Sequence, residues 1–205
     1  SKELLFEQLL IIKKPKNIEW KVAGTLAGVA QTAMTILDEM GPASTLLVHG
    51  GSGGVGSVLI QLAVDKGMTV VATASSSNQD YIQILGAIPV IYGEGLIERL
   101  NQVHPEKFDA SIDMIGNEDA TQASLATVKA DGFMVSIAGR KLSSTRIKPV
   151  WVKRNVANLQ HVVDGVADGQ YTWAVSREYP FEQAQQAYSD ILDGHTKGKS
   201  VLVFD

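Results

Sequence analysis

Five glycines lie within seven residues of this chain, in the segment HGGSGGVG, which starts at position 49. Gly51, Gly53 and Gly56 fit the pattern G-x-G-x-x-G, in which the glycines allow a tight turn, close approach of a pyrophosphate, and close packing of helix and strand. The N–H groups of a helix starting near Gly54 would face the anion. The predicted pyrophosphate loop comprises Gly51, Ser52, Gly53, Gly54, Val55 and Gly56. The alternative is a glycine-rich turn that only permits close packing.

Other glycine loops that bind nucleotides have requirements that this sequence does not meet. A Walker A loop has Lys after its last glycine, whereas Ser57 follows Gly56, so nucleotide hydrolysis is disfavoured. Short-chain dehydrogenases need a Tyr-x-x-x-Lys base, and none of the five tyrosines has Lys four positions later. A methyltransferase that uses S-adenosylmethionine remains an alternative, although such enzymes generally place an acid after the second strand. The loop therefore favours a dinucleotide.

A tract of hydroxyl and amide side chains follows the second candidate strand, where a site that prefers NAD would carry Asp or Glu about 20 residues after the glycines. A carboxylate there would repel a 2′-phosphate, whereas hydroxyls and amides can donate hydrogen bonds to one. The sequence therefore favours NADP(H) over NAD(H), although the tract contains neither Lys nor Arg. Its candidate residues are Thr73, Ser75, Ser76, Ser77 and Asn78.

Composition excludes several classes of function. The chain of 205 residues has a net charge of −4 with scattered Lys and Arg, so a nucleic-acid partner is not expected. It contains no Cys, and its four His lack the spacing of metal ligands, so no metal site is predicted. No apolar run reaches the length of a membrane span, and no signal peptide is apparent, so we expect a cytoplasmic protein without a membrane partner.

The predicted elements alternate between strand and helix, after a first helix over 25–40. Such alternation predicts an α/β fold: a doubly wound, six-stranded parallel Rossmann sheet with helices on both faces. The candidate helices between the strands span 54–66, 77–85, 95–103 and 117–129. The candidate strands span 45–49, 68–74, 89–92, 108–115, 132–139 and 148–153, and the segment 155–205 adds two helices and a last strand at 200–204.

Several segments, in order, resemble the medium-chain dehydrogenase/reductase superfamily and, within it, its zinc-independent quinone oxidoreductase branch. They are LLVHGGSGGVGSVLIQLAVDKGMTVVATAS, LGA at 85–87, FDASIDMIG at 108–116, GFMVSIAG at 132–139 and PFEQAQQAYSDILDGHTKGKSVLVF near the end. The resemblance implies hydride transfer from NADPH to a quinone, enone or carbonyl compound. The alternative is a non-catalytic NADPH-binding module that acts as a sensor or interaction partner.

The resemblance also implies roles for individual residues. Thr73 stands where relatives that prefer NAD carry an acid, and Ser75 to Asn78 would form the 2′-phosphate pocket. Tyr92 and Lys199 would contact cofactor phosphates, and 149–152 would touch the carboxamide. The residues expected to line the ribose and nicotinamide are Ile115, Gly116, Ser136, Ile137, Ala138 and Gly139. No catalytic residue is predicted, because the polar groups that assist hydride transfer are expected in another domain.

The resemblance further implies a domain organisation. Residues 1–24 would be a remnant of an N-terminal, GroES-like catalytic domain, 25–155 the Rossmann domain, and 156–205 helices and a strand that return toward the catalytic domain. Since the chain begins with Ser, we expect it to be an excised cofactor-binding domain, and the alternative is a naturally shortened protein. A homodimer is expected through the sixth strand, at 148–153.

Overall fold

A six-stranded parallel sheet forms the centre of the computed structural model, which describes residues 11–192, 194 and 196–204. Its strands are β1 (Thr45–His49), β2 (Thr69–Ala74), β3 (Ile88–Ile91), β4 (Phe108–Asp113), β5 (Val128–Ser136) and β6 (Lys148–Pro149). They lie in the order β3-β2-β1-β4-β5-β6, and every neighbouring pair is parallel. This is the strand order of a doubly wound dinucleotide-binding sheet, so the predicted fold class is confirmed.

Helices cover both faces of this sheet. They are α1 (Trp20–Met40), α2 (Gly54–Asp65), α3 (Gln79–Ile84), α4 (Leu96–Val103), α5 (Glu118–Thr127), α6 (Val156–Ala167) and α7 (Ala184–Leu192). Because successive side chains of a strand point to opposite faces, Leu46 and Val48 join the core under α1, α2 and α6, whereas Leu47 joins the core under α4 and α5. Strand β1 is therefore buried on both sides, which explains its continuous apolar sequence.

Helix α1 begins at Trp20, five residues before the predicted start at 25. Its buried stripe includes Leu26, Ala30, Ala33 and Leu37, which recur at the three- and four-residue spacing of one helical face. The helix ends as predicted before Gly41, whose φ of 68° lies in the left-handed region. Residues 1–10 of the predicted N-terminal remnant lie outside the described residues.

Strand β5 starts earlier and strand β6 ends earlier than the sequence predicts. Val128 already pairs with Phe108, and a bulge before Ala110 accommodates the polar first half of β5. Strand β6 comprises two residues instead of the predicted 148–153, which is wrong in length. Pro149 has no N–H to donate, and after the Val150 N–H donates to the Ser136 carbonyl, the extended pairing stops.

A second, two-stranded parallel sheet was not predicted in full. It pairs β7 (Val175–Pro180) with β8 (Lys199–Val203), and the latter corresponds to the predicted strand 200–204. Three of the β7 residues, at 176–178, are polar and exposed, which hides the strand in the sequence. This small sheet places the segment before β8 against the loop that follows β1.

Candidate functional site

The glycine loop connects β1 to α2 at the point where the strand order reverses between β1 and β4. In open parallel sheets, ligands bind at such a switch point, outside the carboxyl ends of the strands. Gly50 has a φ of 79°, so the left-handed turn lies one residue before the first glycine of the predicted pattern. A Cβ on Gly56 would lie 2.6 Å from the Gly50 carbonyl oxygen, so the loop and helix approach as the third glycine predicts.

The first turn of α2 presents N–H groups without a cap. Its N-cap residue is Gly53, which has no side chain to accept from them, and the turn contains no acidic residue. The Gly53 N–H itself donates to the Gly50 carbonyl and the Ser57 N–H donates to the Gly53 carbonyl, at 3.2 and 2.9 Å. An uncapped helix N-terminus of this kind carries partial positive charge and can bind an anion. The residues present therefore fit a pyrophosphate group.

The segment that precedes β8 lies across this loop. The Gly198 N–H donates to the Ser52 carbonyl at 2.8 Å, and Gly198 forms a parallel bridge with Gly53. The aliphatic stem of Lys199 lies next to Gly54, where a Cβ would meet its Cδ, Cε and Cγ atoms. Lys199 is thus brought to the first turn of α2, and its contact with cofactor phosphates stays a prediction.

The predicted 2′-phosphate tract follows β2 at the same edge of the sheet. Thr73 is buried, and its hydroxyl accepts from the Gly50 N–H at 3.2 Å, so its side chain supports the loop. The Ser75 and Ser77 hydroxyls lie 3.0 Å apart, and Asn78 Nδ2 donates to Ser52 Oγ at 3.4 Å. Ser76 and Ser77 are exposed, whereas Ser75 and Asn78 line the neighbouring cleft.

Asp113 is a buried carboxylate at the end of β4, on the side of the glycine loop opposite to β2. Asp113 Oδ1 accepts from the N–H groups of Ile115 and Gly116 at 2.7 and 2.9 Å. Its Oδ2 accepts from the Ser136 hydroxyl at 3.2 Å, and Ser136 Oγ in turn accepts from the Ala138 N–H. Asp113 therefore holds together the two turns that were predicted to line the ribose and nicotinamide.

His49 is a buried histidine at the end of β1 that sequence reasoning did not assign to the site. Its Nε2 lies 3.1 Å from Ser124 Oγ of α5. Burial lowers the pKa of His49 to about 4, against the opposing effect of the Asp113 charge. The imidazole is therefore neutral at pH 7 and can pair with the Ser124 hydroxyl without a buried charge.

A cleft of about 490 Å³ joins these groups along the carboxyl edge of the sheet. The predicted residues that line it are Ser52, Gly53, Gly54, Val55, Gly56, Thr73, Ser75, Asn78, Tyr92, Ile115, Ile137 and Lys199. Ser136 and Gly139 instead line a neighbouring cavity that also contains Trp151. The remaining predicted residues line neither and are Gly51, Ser76, Ser77, Gly116 and Ala138. The cleft has a size typical of sites that bind small molecules and cofactors.

Other residues of this cleft were missed by the sequence analysis. Asn117 caps α5 by accepting from the Ala120 N–H at 2.9 Å, and Asp119 follows in the first helical turn. An Asn directly before a helix is a recognisable capping signal, so Asn117 was open to prediction. Gly194 and Thr196 reach the cleft only because β7 and β8 pair, which no local pattern near them indicates.

Comparison with known proteins gives three findings. Residues 85–202 match the family model described as "Zinc-binding dehydrogenase". An Arabidopsis thaliana protein named as a chloroplastic NADPH-dependent alkenal/one oxidoreductase is 30% identical over 96% of this chain and 50% of its own. The solved structure of a quinone oxidoreductase from Coxiella burnetii is 28% identical, with a TM-score of 0.79 over 94% of this chain and 63% of that one.

The chain thus spans about half the length of the first curated relatives that it matches. The matched model is named for zinc, but the described residues bring no three His, Asp or Glu side chains together as a ligand set, and the sequence has no Cys. These residues do not fit a zinc site. Among the described residues, none of the helices combines the length and the hydropathy of a membrane span.

Proposed function

The chain belongs to the medium-chain dehydrogenase/reductase superfamily, on its quinone-oxidoreductase-like side, and we propose that it is the NADP(H)-binding half of an oxidoreductase that reduces a quinone, enone or carbonyl compound. The observation that supports this proposal is the cleft at the switch point of the sheet. It contains the uncapped first turn of α2 and residues at or just after the carboxyl ends of five strands. The names of relatives support the reaction class, since they include alkenal/one and quinone oxidoreductases.

Each part of the cleft has a proposed task in binding the cofactor. The N–H groups of Gly54 to Gly56 and the Lys199 ammonium hold the pyrophosphate, while Ser75 and Asn78 receive the adenosine end. Ile115 and Ile137 provide apolar surface at the other end and exclude water there. The bound nicotinamide would supply a hydride to the electron-poor acceptor. These residues orient the cofactor, and no acid or base of this chain is assigned to the reaction.

The preference for NADP(H) is supported by the residues at and after the end of β2. Ser75 and Asn78 are polar, uncharged cleft residues, and the tract 73–78 contains no carboxylate that would repel a 2′-phosphate. One relative is named as NADPH-dependent, which agrees with this choice. We therefore expect NADPH to bind more tightly than NADH.

The small sheet and α7 form a surface that we assign to a second domain. Phe181, the first residue of a short 3-10 helix after β7, stacks on Phe204 with ring centroids 4.6 Å apart, and both rings are about half or more exposed. Tyr188 and Leu192 of α7 and Val203 of β8 are also exposed apolar residues of this C-terminal region. Contiguous exposed apolar patches indicate interaction sites. We propose that residues 1–24 are the last part of an N-terminal catalytic domain and that residues 156–205 return toward that domain. We also propose that the whole protein is cytoplasmic.

Titration and turnover together test this function. The purified chain is titrated with NADPH and NADH by calorimetry, and then its oxidation of NADPH is followed with a panel of quinones and alkenals. Binding with turnover supports an oxidoreductase that is active as this chain. Binding without turnover is the result expected if catalysis needs the proposed second domain or if the chain is a binding module. Turnover that appears when a GroES-like catalytic domain is supplied supports the first of these. No binding of either cofactor at millimolar concentration contradicts the proposal.

A further inference from the structure

A lysine far from the serine tract in sequence lies near it in the fold. The tract 73–78 contains no charged residue, although a phosphate monoester carries about −1.5 to −2 charges at pH 7. Neutral hydroxyls and amides form weaker hydrogen bonds to such a group than cationic donors do. A 2′-phosphate on this tract therefore needs a cation from elsewhere in the chain.

The segment before β8 provides one. Ser52 connects the two parts of the chain, because its carbonyl accepts from the Gly198 N–H at 2.8 Å and its Oγ accepts from Asn78 Nδ2 at 3.4 Å. Lys197, next to Gly198, extends its side chain toward α3, and its Nζ lies 4.5 Å from the centre of the Tyr81 ring. Tyr81 stands three residues after Asn78, so the ammonium lies beside the helical turn that continues the serine tract.

The contact with Tyr81 restricts where this ammonium can lie. A cation within about 6 Å of the centre of an aromatic ring is attracted to its face. The Tyr81 side chain is buried and fixed by the core, whereas Lys197 is exposed and can move its long stem. The contact therefore places the ammonium on the α3 side of the glycine loop, and the mobile stem allows it to reach a phosphate bound there.

Lys199 has a different position, although it is only two residues away. Its stem lies along Gly54 at the first turn of α2, where the pyrophosphate that NADPH and NADH share is proposed to bind. Lys197 instead lies beside α3, outside the cleft lining but next to the turn that continues the serine tract, where the 2′-phosphate is proposed to bind. We propose that Lys197 is a specificity-determining residue that binds the 2′-phosphate of NADP(H). This inference rests on the proposed function, because it assigns the cation of that same cofactor site.

The test compares the affinities of NADPH and NADH in calorimetric titrations of the wild-type chain, Lys197→Gln and Lys197→Arg. Losing one hydrogen bond from a cation to the phosphate should raise the dissociation constant for NADPH about tenfold and leave that for NADH unchanged. Arginine at 197 should keep most of the NADPH affinity. Lys66→Gln, which removes an exposed lysine at the end of α2, should change neither value and is the matched control.

The outcomes separate this inference from the function on which it rests. If the wild-type chain binds neither cofactor, the proposed function itself is wrong. If the wild-type chain prefers NADPH but Lys197→Gln changes both affinities equally or changes neither, the function stands and the role of Lys197 is overturned. If the wild-type chain binds NADH as tightly as NADPH, the dinucleotide site stands, and both the NADP(H) preference and the role of Lys197 are overturned.

Discussion

Gly53 and Gly56 belong to the same loop, but an added methyl group would meet different surroundings at each. At Gly53 the nearest atom to a Cβ would be the Gly50 carbonyl oxygen at 3.5 Å, and its φ of −73° suits any residue. We expect Gly53→Ala to fold with nearly wild-type stability and to weaken NADPH binding at least about tenfold, because the methyl group keeps the pyrophosphate from the N–H groups. Urea unfolding and calorimetric titration measure the two effects separately.

Alanine at Gly56 provides the contrast. Its Cβ would lie 2.6 to 2.9 Å from backbone atoms of Gly50 and Gly51, which cannot move without displacing β1 or α2. We expect Gly56→Ala to lower the free energy of unfolding by about 1–3 kcal/mol, the usual cost of an overpacked interior. Equal losses of stability in Gly53→Ala and Gly56→Ala would contradict the inference that Gly53 has room for a methyl group and Gly56 has none.

Ser75 provides a test of cofactor choice at the end of β2. It lines the cleft, and an aspartate there would lie close to the proposed position of the 2′-phosphate. We expect Ser75→Asp to raise the dissociation constant for NADPH by at least about tenfold while NADH binding is retained, since like charges repel and a carboxylate accepts from ribose hydroxyls. Ser76→Asp is the control, because Ser76 is exposed and outside the cleft lining, and its effect should be several-fold smaller.

Residues that belong to one local pattern were predictable, and residues that meet through the fold were not. The glycine loop and the serine tract each follow a strand, so the positions of Gly56 and Ser75 could be inferred from sequence alone. Lys197 could not be predicted as a site residue, because 116 positions separate it from Tyr81 and only the pairing of β8 with β7 brings the two together. His49 escaped because a single histidine at a strand end has no pattern that separates a core residue from a site residue.

At the scale of elements, the buried imidazole of His49 connects the end of β1 to Ser124 of α5, so its protonation affects the packing of these two elements. The folded protein keeps His49 neutral down to its pKa of about 4, whereas the unfolded chain takes up a proton near pH 6.5. The stability is therefore complete above pH 6.5 and is lost as the pH falls toward 4. We expect this residue alone to remove about 2 kcal/mol between pH 7 and pH 5.

Urea unfolding of the wild-type chain and His49→Gln at these two pH values isolates this effect. Glutamine can still pair with Ser124 but does not titrate, so the variant should lose about 2 kcal/mol less than the wild type over this interval. Carboxylates away from position 49 contribute equally to both proteins and cancel in the comparison. A loss of the same size in both would show that His49 is not protonated on unfolding in this range.

The predicted strands and helices are correct where apolar periodicity is unbroken and incorrect where burial is one-sided. Strand β1 is covered on both faces, and its predicted bounds, 45–49, agree with the structure. The first half of β5, from Val128 to Asp131, contains exposed polar residues beside a bulge, and β7 has a mostly exposed face, so apolar runs miss both. Strand β6 ends at Pro149, which cannot donate to a ladder at the edge of the sheet. The apolar residues that follow suggested a longer strand.

At the scale of the whole molecule, helix α1 and the small sheet of β7 and β8 both pack against the Rossmann unit. The indole N–H of Trp173, just before β7, donates to Thr25 of α1 at 2.9 Å, and the Gln61 side chain of α2 pairs with the backbone of Thr172 at 2.6 and 2.9 Å. These contacts fix the start of β7, and β8 pairs with it beside the glycine loop. The proposed cofactor cleft is thus completed by segments that the sequence alone places outside the Rossmann domain.

The open edge of the large sheet leads to a prediction about assembly. Strand β6 is the last strand in the sheet order, and the chain just beyond it exposes 75% of Trp151 and 47% of Val152. An unpaired edge beside a large exposed aromatic residue can pair with a second copy, and a two-fold axis would make the contact self-complementary. We expect the chain to form a homodimer through 148–153, detectable by sedimentation velocity at micromolar concentration.

Trp151→Glu tests whether this edge is the contact. A buried tryptophan anchor contributes at least about 2 kcal/mol to an interface, so the substitution should raise the dimer dissociation constant about 30-fold or more, without lowering the monomer's stability. Trp20→Glu is the matched control, because Trp20 is 78% exposed on α1 and outside the segment 148–153. A wild-type chain that stays monomeric, or a dimer that dissociates only with Trp20→Glu, would rule out the β6 edge and direct attention to other exposed apolar surfaces.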